Sequence, residues 1–583
     1  MHSGMETVLE KRKALSAYLP AAMLAACAAL GVYYALAARV PLEDDSINHF
    51  LLSKWMLNHN WIVVHIWARP LITLAYFPAA QAGFFWCRLT SLAICLAGAW
   101  YAYRLAKELR LKYAFFAIPL VFFQPYFFQL STDLLTEPLF ALLLICAVRN
   151  YARGRFPWAA LQFSAMTATR PEGFFFVALF GLILLVEALR GKMGRPGAAL
   201  KKLVLAALLL ASVPLAWNIA GGIIYAPRDP ANGFDPLWLP HHNPWDASRF
   251  KYGSDGLLHY PFWMGEIAGP AALPLMALGF VAFFKRDRLW FVPALILFFI
   301  LLHTLMRTTG YFSSGGYARY FASLAPLMGL TALAGLDMFI GSALWIGLAF
   351  LVYCGVYIGV VPWLRELPVF NEFYTQIPGL TVSEAIVRYK YTSSLMVLAP
   401  ALIVAWIILD ARLFRRQKQN PVAKRALATA LIVICLAAQS IFCLLCVKPA
   451  TESRGYGFIG EFADWLKAKH PALFADLGSQ GPRKTEAKLM FSRYYLHMEQ
   501  GWDPFDATRF GLSNFSNWDS LPPGSIIAWD SHFEPTENHV TREELDSRPN
   551  LIHGPTFNGD YGPTWTRCTL RVYEVAAGNP AAP

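Results

Sequence analysis

Long runs of apolar residues dominate the first three quarters of the chain. Runs of about 20 such residues recur between Ala14 and Val447, and a helix of that length crosses a hydrocarbon core of about 30 Å. Beyond Lys448 the pattern changes to short apolar segments with helical or strand-like spacing. The sequence therefore predicts an α-helical polytopic membrane protein that is followed by a smaller soluble domain.

The apolar runs predict thirteen transmembrane helices. Their bounds are Ala14–Ala38, Phe84–Tyr103, Tyr113–Leu130, Leu134–Val148, Phe156–Thr169, Gly173–Leu189, Leu203–Tyr225, Ile267–Phe284, Leu289–Met306, Tyr320–Ile340, Ala343–Val361, Leu395–Leu409 and Ala426–Val447. Of all residues, 56% are hydrophobic and 15% are charged, whereas a soluble domain has about 45–50% and 25%. This composition excludes an ordinary soluble protein.

Positive charges are distributed unequally between alternate loops. If the N-terminus is cytoplasmic, the cytoplasmic segments contain 24 Lys and Arg in 54 residues, and the opposite loops contain 12 in 138. Because Lys and Arg concentrate on the cytoplasmic side, this asymmetry sets the orientation. Lys11, Arg12 and Lys13 precede the first span, which is typical of a retained signal anchor. The sequence predicts an inner-membrane protein whose C-terminal tail lies outside the cytoplasm.

The tail, residues 448–583, has its own composition. It contains 13 Lys and Arg against 17 Asp and Glu, a net charge of −4. Helical spacing covers Gly460–His470, and Ser525–Trp529 and Thr569–Val575 are β-rich. We expect a small extracytoplasmic α/β domain here, and a membrane domain over residues 1–447.

Six acidic side chains lie at the outer ends of the early spans, although they are far apart in sequence. They are Glu43, Asp44, Asp45, Asp133, Glu137 and Glu172. A carboxylate at the membrane boundary is costly to desolvate, so three clusters on one face indicate a polar site there. The alternative for each residue alone is a solvated loop acid.

The first acidic cluster is followed by an amphipathic helix. Ile47, Phe50 and Leu51 have helical spacing, which predicts a helix lying in the membrane interface. Such a helix holds Asp44 and Asp45 at the water boundary. A solvated acidic patch is the alternative.

The other two clusters occur at helix starts. Asp133 and Glu137 lie four residues apart on one helix face, where the helix dipole favours acids. Capping explains Asp133 better than Glu137. The segment Arg170-Pro171-Glu172 divides an apolar stretch into two short helices, and proline with paired charges at membrane depth indicates a cavity lining.

Several arginines fall on the same side of the membrane. They are Arg69, Arg170, Arg307 and Arg319, the last close to Tyr317. A guanidinium fork suits phosphate oxygens, and anchoring in lipid headgroups is the alternative for each. Arg88 is the only Lys or Arg inside a predicted span, where it reaches the same cavity or extends to the interface.

Together these motifs resemble the GT-C membrane glycosyltransferases, which include protein O-mannosyltransferases and the aminoarabinose transferase of lipid A. The motifs are the acidic pair and interfacial helix, Trp67-Ala68-Arg69-Pro70, an outer Glu-Pro, Thr-Arg-Pro-Glu-Gly and an Arg-Tyr before a late span. The resemblance covers nearly the whole chain. It implies a polyprenyl-phosphate sugar donor and a catalytic aspartate in the first outer loop, here Asp44, with Asp45 beside it. The acceptor, a glycan, lipid or protein, and the sugar stay open.

The residues agree with this resemblance. The longest internal cytoplasmic segment, Asp410–Arg425, is too short for a nucleotide-sugar domain, and no phosphate-binding glycine loop is present. Asp44 or Asp45 is expected to deprotonate the acceptor hydroxyl in a single inverting displacement. The predicted donor-phosphate ligands are Arg170, Arg319 and Arg69. The predicted cavity, sugar or acceptor contacts are Glu43, His49, Asp133, Glu137, Glu172 and Tyr317.

Other interpretations stay open. Arg170 can pair structurally with Glu172 instead of binding phosphate. A lipid-linked glycan polymerase or ligase is the closest alternative function, and a transporter or flippase is another, although transporters bring charges to the membrane midplane. Scattered basic residues exclude a nucleic-acid binder. The sequence implies no cofactor and leaves a divalent metal open, with His241-His242 beside Asp246 as a weak candidate site.

Overall fold

Helices make up most of the described chain. The computed structural model describes residues 2–42, 44–228, 233–242, 257, 259–284, 289–310, 316–339, 354, 421–447, 449, 456–479, 481–511, 520–531, 534–535, 540–561 and 566–577. Its helices are α1 His2–Ala37, α2 Asp44–Trp55, α3 Pro70–Ala82, α4 Phe84–Glu108, α5 Ala117–Phe122, α6 Pro125–Leu130, α7 Glu137–Ala152, α8 Phe156–Thr167, α9 Glu172–Leu189, α10 Pro196–Tyr225, α11 Trp238–His241, α12 His259–Ala268, α13 Ala272–Phe284, α14 Phe291–Thr309, α15 Ala325–Phe339, α16 Pro421–Cys446, α17 Gly457–Lys469, α18 Pro471–Leu477, α19 Tyr494–Gln500 and α20 Arg542–Asp546.

Short 3₁₀ helices and five strands complete the described elements. The 3₁₀ helices are Asn60–Val64, Ala114–Phe116, Ala226–Arg228 and Ala318–Leu324. The strands are β1 Leu489–Met490, β2 Phe510–Gly511, β3 Ile526–Asp530, β4 Leu551–Tyr561 and β5 Thr566–Val575. They form one sheet in the order β2-β1-β3-β5-β4.

The chain divides into two units. The membrane unit contains the described residues of Met1–Ala37, Val63–Glu372 and Ser383–Pro449. The sheet unit contains those of Ala38–Ile62 and Ala450–Pro583. Helix α2 therefore belongs to the same unit as the strands. The predicted domain boundary at residue 447 stays a prediction.

Five helices of the described residues are long and apolar enough to cross a membrane. They are Tyr18–Ala37 of α1, α4, α9, α10 and α14. The protein is therefore a mostly helical membrane protein, and these five correspond to predicted spans. The predicted spans Ala343–Val361 and Leu395–Leu409 lie outside the described residues.

Two predicted spans are wrong as continuous helices. The run Tyr113–Leu130 is divided between α5 and α6, since Pro125 supplies no N–H and begins a new helix. The run Ile267–Phe284 is divided between α12 and α13 at Gly269, whose φ is +89°. Hydropathy alone does not register either break.

Two glutamine side chains satisfy the backbone at these breaks. Gln124 Nε2 donates to Leu120 O at 3.0 Å and to Ala325 O at 2.8 Å. Gln439 Nε2 donates to Phe123 O at 3.0 Å and to Ala268 O at 2.8 Å. Because a backbone group without a partner is costly away from water, such bonds allow irregular backbone inside an apolar unit.

The sheet unit is built around a fully buried central strand. All five residues of β3 are buried. Strands β1, β2 and β3 are parallel, and β5 is antiparallel to both β3 and β4. Helix α17 and strands β3 and β5 agree with the helical and β-rich segments that the sequence predicts.

Candidate active site

The connection between α8 and α9 carries the first group of charged residues. Pro171 is the last residue before α9, a position where a missing N–H costs nothing. A Cβ on Gly173 would collide with the backbone at the end of α8, so glycine permits the tight turn. The predicted break is confirmed, and Arg170 and Glu172 are both buried there.

Arg170 is held between two carboxylates. Its Nη1 lies 2.5 Å from Glu137 Oε1, and its Nη2 lies 2.7 Å from Glu172 Oε1. Nε donates to the second oxygen of Glu172 at 3.2 Å, and Nη1 donates to Thr136 Oγ1 at 2.9 Å. Since all three charged residues are buried, their mutual attraction must offset a large desolvation cost.

An imidazole and a phenol ring border this ion pair. His303 Nε2, on α14, lies 3.4 Å from Glu172 Oε1, and His303 is 1% exposed. The guanidinium carbon of Arg170 lies 4.9 Å from the centroid of the Tyr320 ring. The aromatic face adds a cation–π attraction to the two ion pairs.

Two further arginines lie beside this group. Arg319 Nε is 3.9 Å from Glu137 Oε1, and its guanidinium carbon is 4.7 Å from the Tyr317 ring centroid. Arg307 follows His303 by one turn of α14 and packs against Gly316, where an added Cβ would lie 2.8 Å from Arg307 Nε. Both guanidinium groups are buried.

We call this group the buried charge cluster. Its members are Glu137, Arg170, Glu172, His303, Arg307 and Arg319. Three guanidinium groups, two carboxylates and one imidazole are thus found among these buried residues.

Two other predicted residues of the membrane unit lie elsewhere. Asp133 is fully buried, accepts a hydrogen bond from the Leu134 N–H at 2.9 Å, and interacts electrostatically with Arg88. Arg88 is 5% exposed, so its charge stays within the protein and does not extend to the surface. Asp133 and Arg88 are therefore a second pair of buried opposite charges.

Arg69 begins helix α3 with a left-handed backbone. Its φ is +54°, which is uncommon outside glycine. The half-buried guanidinium lies 5.6 Å from the centroid of the Trp67 ring. The Leu71 N–H donates to Ala168 O at 3.1 Å, which brings the start of α3 beside the chain that leads to Arg170.

In the sheet unit, Asp44 is fixed by two side chains. The Tyr456 hydroxyl donates to Asp44 Oδ1 at 3.3 Å, and Arg493 Nη1 donates to Oδ2 at 2.9 Å. Asp45, the next residue, is exposed, and His49 is half-buried one turn further along α2. Glu43 lies outside the described residues. The helix predicted after the acidic pair is confirmed.

Arg493 also binds a buried aspartate. Its Nε and Nη2 donate to the two oxygens of Asp530 at 2.7 and 3.2 Å. The Cys568 thiol donates to Asp530 Oδ2 at 3.3 Å. Burial, with the nearby Asp530 charge, raises the pKa of Cys568 to about 12, so this thiol stays protonated.

The histidine pair His241-His242 has other partners. His241 Nδ1 lies 2.9 Å from Asp235 Oδ2, and the His242 ring stacks on Trp238. Asp246 lies outside the described residues. Among the described part of the chain, no group of three or more potential metal ligands is present.

Three functional-site candidates in the structure, His303, Tyr456 and Arg493, were not predicted from the sequence. His303 is a polar residue inside an apolar run, which is a usable signal. Arg493 follows an apolar run of only three residues, Leu489–Phe491, and nothing local distinguishes it from a surface arginine. Tyr456 carries no local signal either.

Comparisons with known proteins identify the fold. No protein-family model and no curated protein sequence matches this chain. Two similar solved structures are crystal structures of ArnT from Cupriavidus metallidurans. The one bound to undecaprenyl phosphate has 12% identity and a TM-score of 0.56, covering 94% of this chain and 97% of that chain. The apo structure has 13% identity and a TM-score of 0.56, covering 96% and 99%. This chain therefore shares the fold of these ArnT structures over nearly its whole length.

Proposed function

We propose that this chain is an integral membrane glycosyltransferase that moves a sugar from a polyprenyl-phosphate donor to an acceptor. The observation that carries the proposal is the fold, shared over 94% of the chain with an ArnT structure bound to undecaprenyl phosphate. The proposal includes thirteen spans, two of them made of broken helices, a cytoplasmic N-terminus and transfer at the outer face of the inner membrane. Residues 448–583 are proposed as an extracytoplasmic α/β domain.

The buried charge cluster is the proposed site of the donor phosphate. The guanidinium group of Arg170 already binds Glu137 and Glu172. We therefore propose that Arg170 supports the structure of the site. Arg319 and Arg307 are the proposed phosphate ligands, because a guanidinium fork suits phosphate oxygens. Guanidinium groups at the leaving phosphate stabilise the charge that develops there. Arg69 is proposed as a further phosphate contact.

Asp44 is the proposed base. Its carboxylate takes the proton of the acceptor hydroxyl, and that oxygen attacks the anomeric carbon of the sugar. The bond from the anomeric carbon to the phosphate oxygen breaks, and its electron pair leaves with the polyprenyl phosphate. This single displacement inverts the anomeric centre. Asp45, which is exposed, is proposed to have a smaller effect.

Transfer from a lipid donor tests the function. The purified protein in proteoliposomes would receive radiolabelled undecaprenyl-phosphate sugars and, separately, glycan, lipid and protein fractions of a bacterial envelope. We expect the label to move covalently to one fraction. Movement of labelled lipid across the bilayer without transfer would indicate a flippase. Transfer of preassembled multi-sugar chains would indicate a ligase.

Donor binding tests the phosphate site separately. Arg319→Lys and Arg307→Lys should each weaken binding of undecaprenyl phosphate by about 10-fold, because lysine lacks the two parallel donors of the guanidinium fork. Arg149→Lys is the matched control, since Arg149 also binds a carboxylate, that of Glu108. Unchanged affinity in both cluster variants would contradict the assignment.

A further inference from the structure

The sheet topology brings two side chains of the tail to one edge. Strands β1 and β3 pair in parallel, so their carboxyl ends lie at the same edge of the sheet. Arg493 follows β1 by three residues, and Asp530 is the last residue of β3. Helix α2 packs against α19, which begins directly after Arg493. Asp44 thereby reaches the same edge.

Arg493 is arranged to bind two aspartates at once. Its side chain is 0% exposed, and Nε with Nη2 forms a two-point contact with Asp530. Nη1 is directed to Asp44 Oδ2 at 2.9 Å. Because the guanidinium group is planar and held by Asp530, the direction of its Nη1–H is fixed.

Tyr456 orients the other oxygen of Asp44. Its ring stacks on Tyr495 with a centroid distance of 4.0 Å and an interplanar angle of 7°. The stacking holds the hydroxyl, which donates to Asp44 Oδ1 at 3.3 Å. The Asp44 side chain nevertheless remains 11% exposed, so it is not fully closed off from a reactant.

We propose that Arg493 and Tyr456 are positioning residues for the Asp44 carboxylate, so that the tail of the chain contributes directly to the transfer rate. This inference rests on the proposed role of Asp44 as base. A carboxylate that accepts a hydrogen bond at each oxygen keeps its remaining lone pairs in fixed directions. The rate of catalysis depends on such orientation. The contribution concerns turnover and not donor affinity.

The decisive variant is Tyr456→Phe, which removes one hydroxyl and keeps the stacked ring. We expect kcat to fall by about 3- to 10-fold, the range that one hydrogen bond supplies, with an unchanged KM for the donor. Tyr573→Phe is the matched control. It removes the hydroxyl bond to Asp546 Oδ1 at 2.8 Å in the same unit, and we expect wild-type kcat.

A second variant tests the fork of Arg493. Arg493→Lys keeps the positive charge beside Asp530 but cannot reach both aspartates with fixed geometry, so kcat should fall by about 10- to 100-fold at constant KM. Hydrogen exchange of the α2 amides gives an independent readout. We expect faster exchange of these amides in Arg493→Lys, and wild-type exchange in Tyr573→Phe.

The outcomes separate the two proposals. Wild-type kcat in Tyr456→Phe, with an active wild-type protein, would overturn the positioning role and leave the proposed function intact. Equal losses of kcat in Tyr456→Phe and Tyr573→Phe would also overturn it, because the effect would be one of general stability. A third outcome is an inactive wild-type protein whose α2 amides nevertheless exchange more slowly than those of Arg493→Lys. It would overturn the proposed function, and the role of Asp44 with it.

Discussion

Removal of the Glu172 charge tests whether the Arg170 ion pairs stabilise the fold. Glu172→Gln keeps the size of the side chain but leaves Arg170 with one carboxylate, Glu137. Glu172 accepts from two nitrogens of Arg170 at 3.2 and 2.7 Å. Its Oε1 also lies 3.4 Å from His303 Nε2. The substitution removes one negative charge from the buried charge cluster.

The expected cost follows from burial. Removal of one partner from a buried ion pair destabilises a protein by about 3–5 kcal/mol, because the remaining charge is left without compensation. Glu137 still binds Arg170, so the lower end, about 3 kcal/mol, is expected. The matched control is Glu108→Gln. Glu108 also binds two arginines, Arg149 and Arg153, but its side chain is 28% exposed, and such pairs contribute about 1 kcal/mol or less.

Thermal unfolding in detergent provides the assay. Cys87 and Cys95 are fully buried, so their reaction with a thiol-sensitive fluorophore reports unfolding. Glu172→Gln should unfold roughly 3 °C below the wild-type protein, and Glu108→Gln within about 1 °C of it. Equal midpoints for the two variants would refute the structural role. If Glu172→Gln keeps wild-type stability but loses transfer activity, Glu172 takes part in the reaction itself.

Three further predictions concern the base, pH and topology. Asp44→Asn should reduce transfer by about 10²- to 10⁴-fold, and Asp45→Asn should have a much smaller effect; equal losses would leave Asp44 without a special role. Burial lowers the pKa of His497 to about 3, so only the unfolded chain gains this proton below about pH 6.5. Stability should therefore fall as the pH decreases from 6.5 towards 3, by up to about 1.4 kcal/mol per pH unit. The fall in unfolding temperature should be shallower in His497→Phe. Reporter fusions should face the cytoplasm at Lys192 and the outside at Asn514; the reverse would contradict the charge rule.

The sequence predicted the long apolar helices because their signal is local. Hydropathy over about 20 residues suffices for helices such as α9, α10 and α14. It failed between α5 and α6 and between α12 and α13, where apolar composition continues through a break. Pro125 and Gly269 mark the two breaks locally, but Gln439, whose side chain bonds the backbone at both, lies far along the chain. No window of local sequence contains that information.

The candidate site was predictable by residue type but not by partner. Acids and arginines at span ends marked Glu137, Arg170 and Arg319, which the structure brings together. The partner of Asp44 was not predictable, because Arg493 is 449 residues away and reaches it through the parallel pairing of two short strands. Local patterns identify a polar residue in an apolar segment. Only the tertiary structure determines which oppositely charged residue lies beside it.

Charge balance separates the roles of residues that look alike in the sequence. Asp530 occupies two nitrogens of Arg493 and neutralises its charge, while Cys568 stays a neutral thiol because burial raises its pKa to about 12. One guanidinium thus meets two aspartates, of which Asp44 is the more exposed. A carboxylate that is oriented and partly exposed is suited to accept a proton. By the same reasoning Arg170, which binds two glutamates, is suited to support a site. The guanidinium forks of Arg307 and Arg319 are the proposed phosphate ligands.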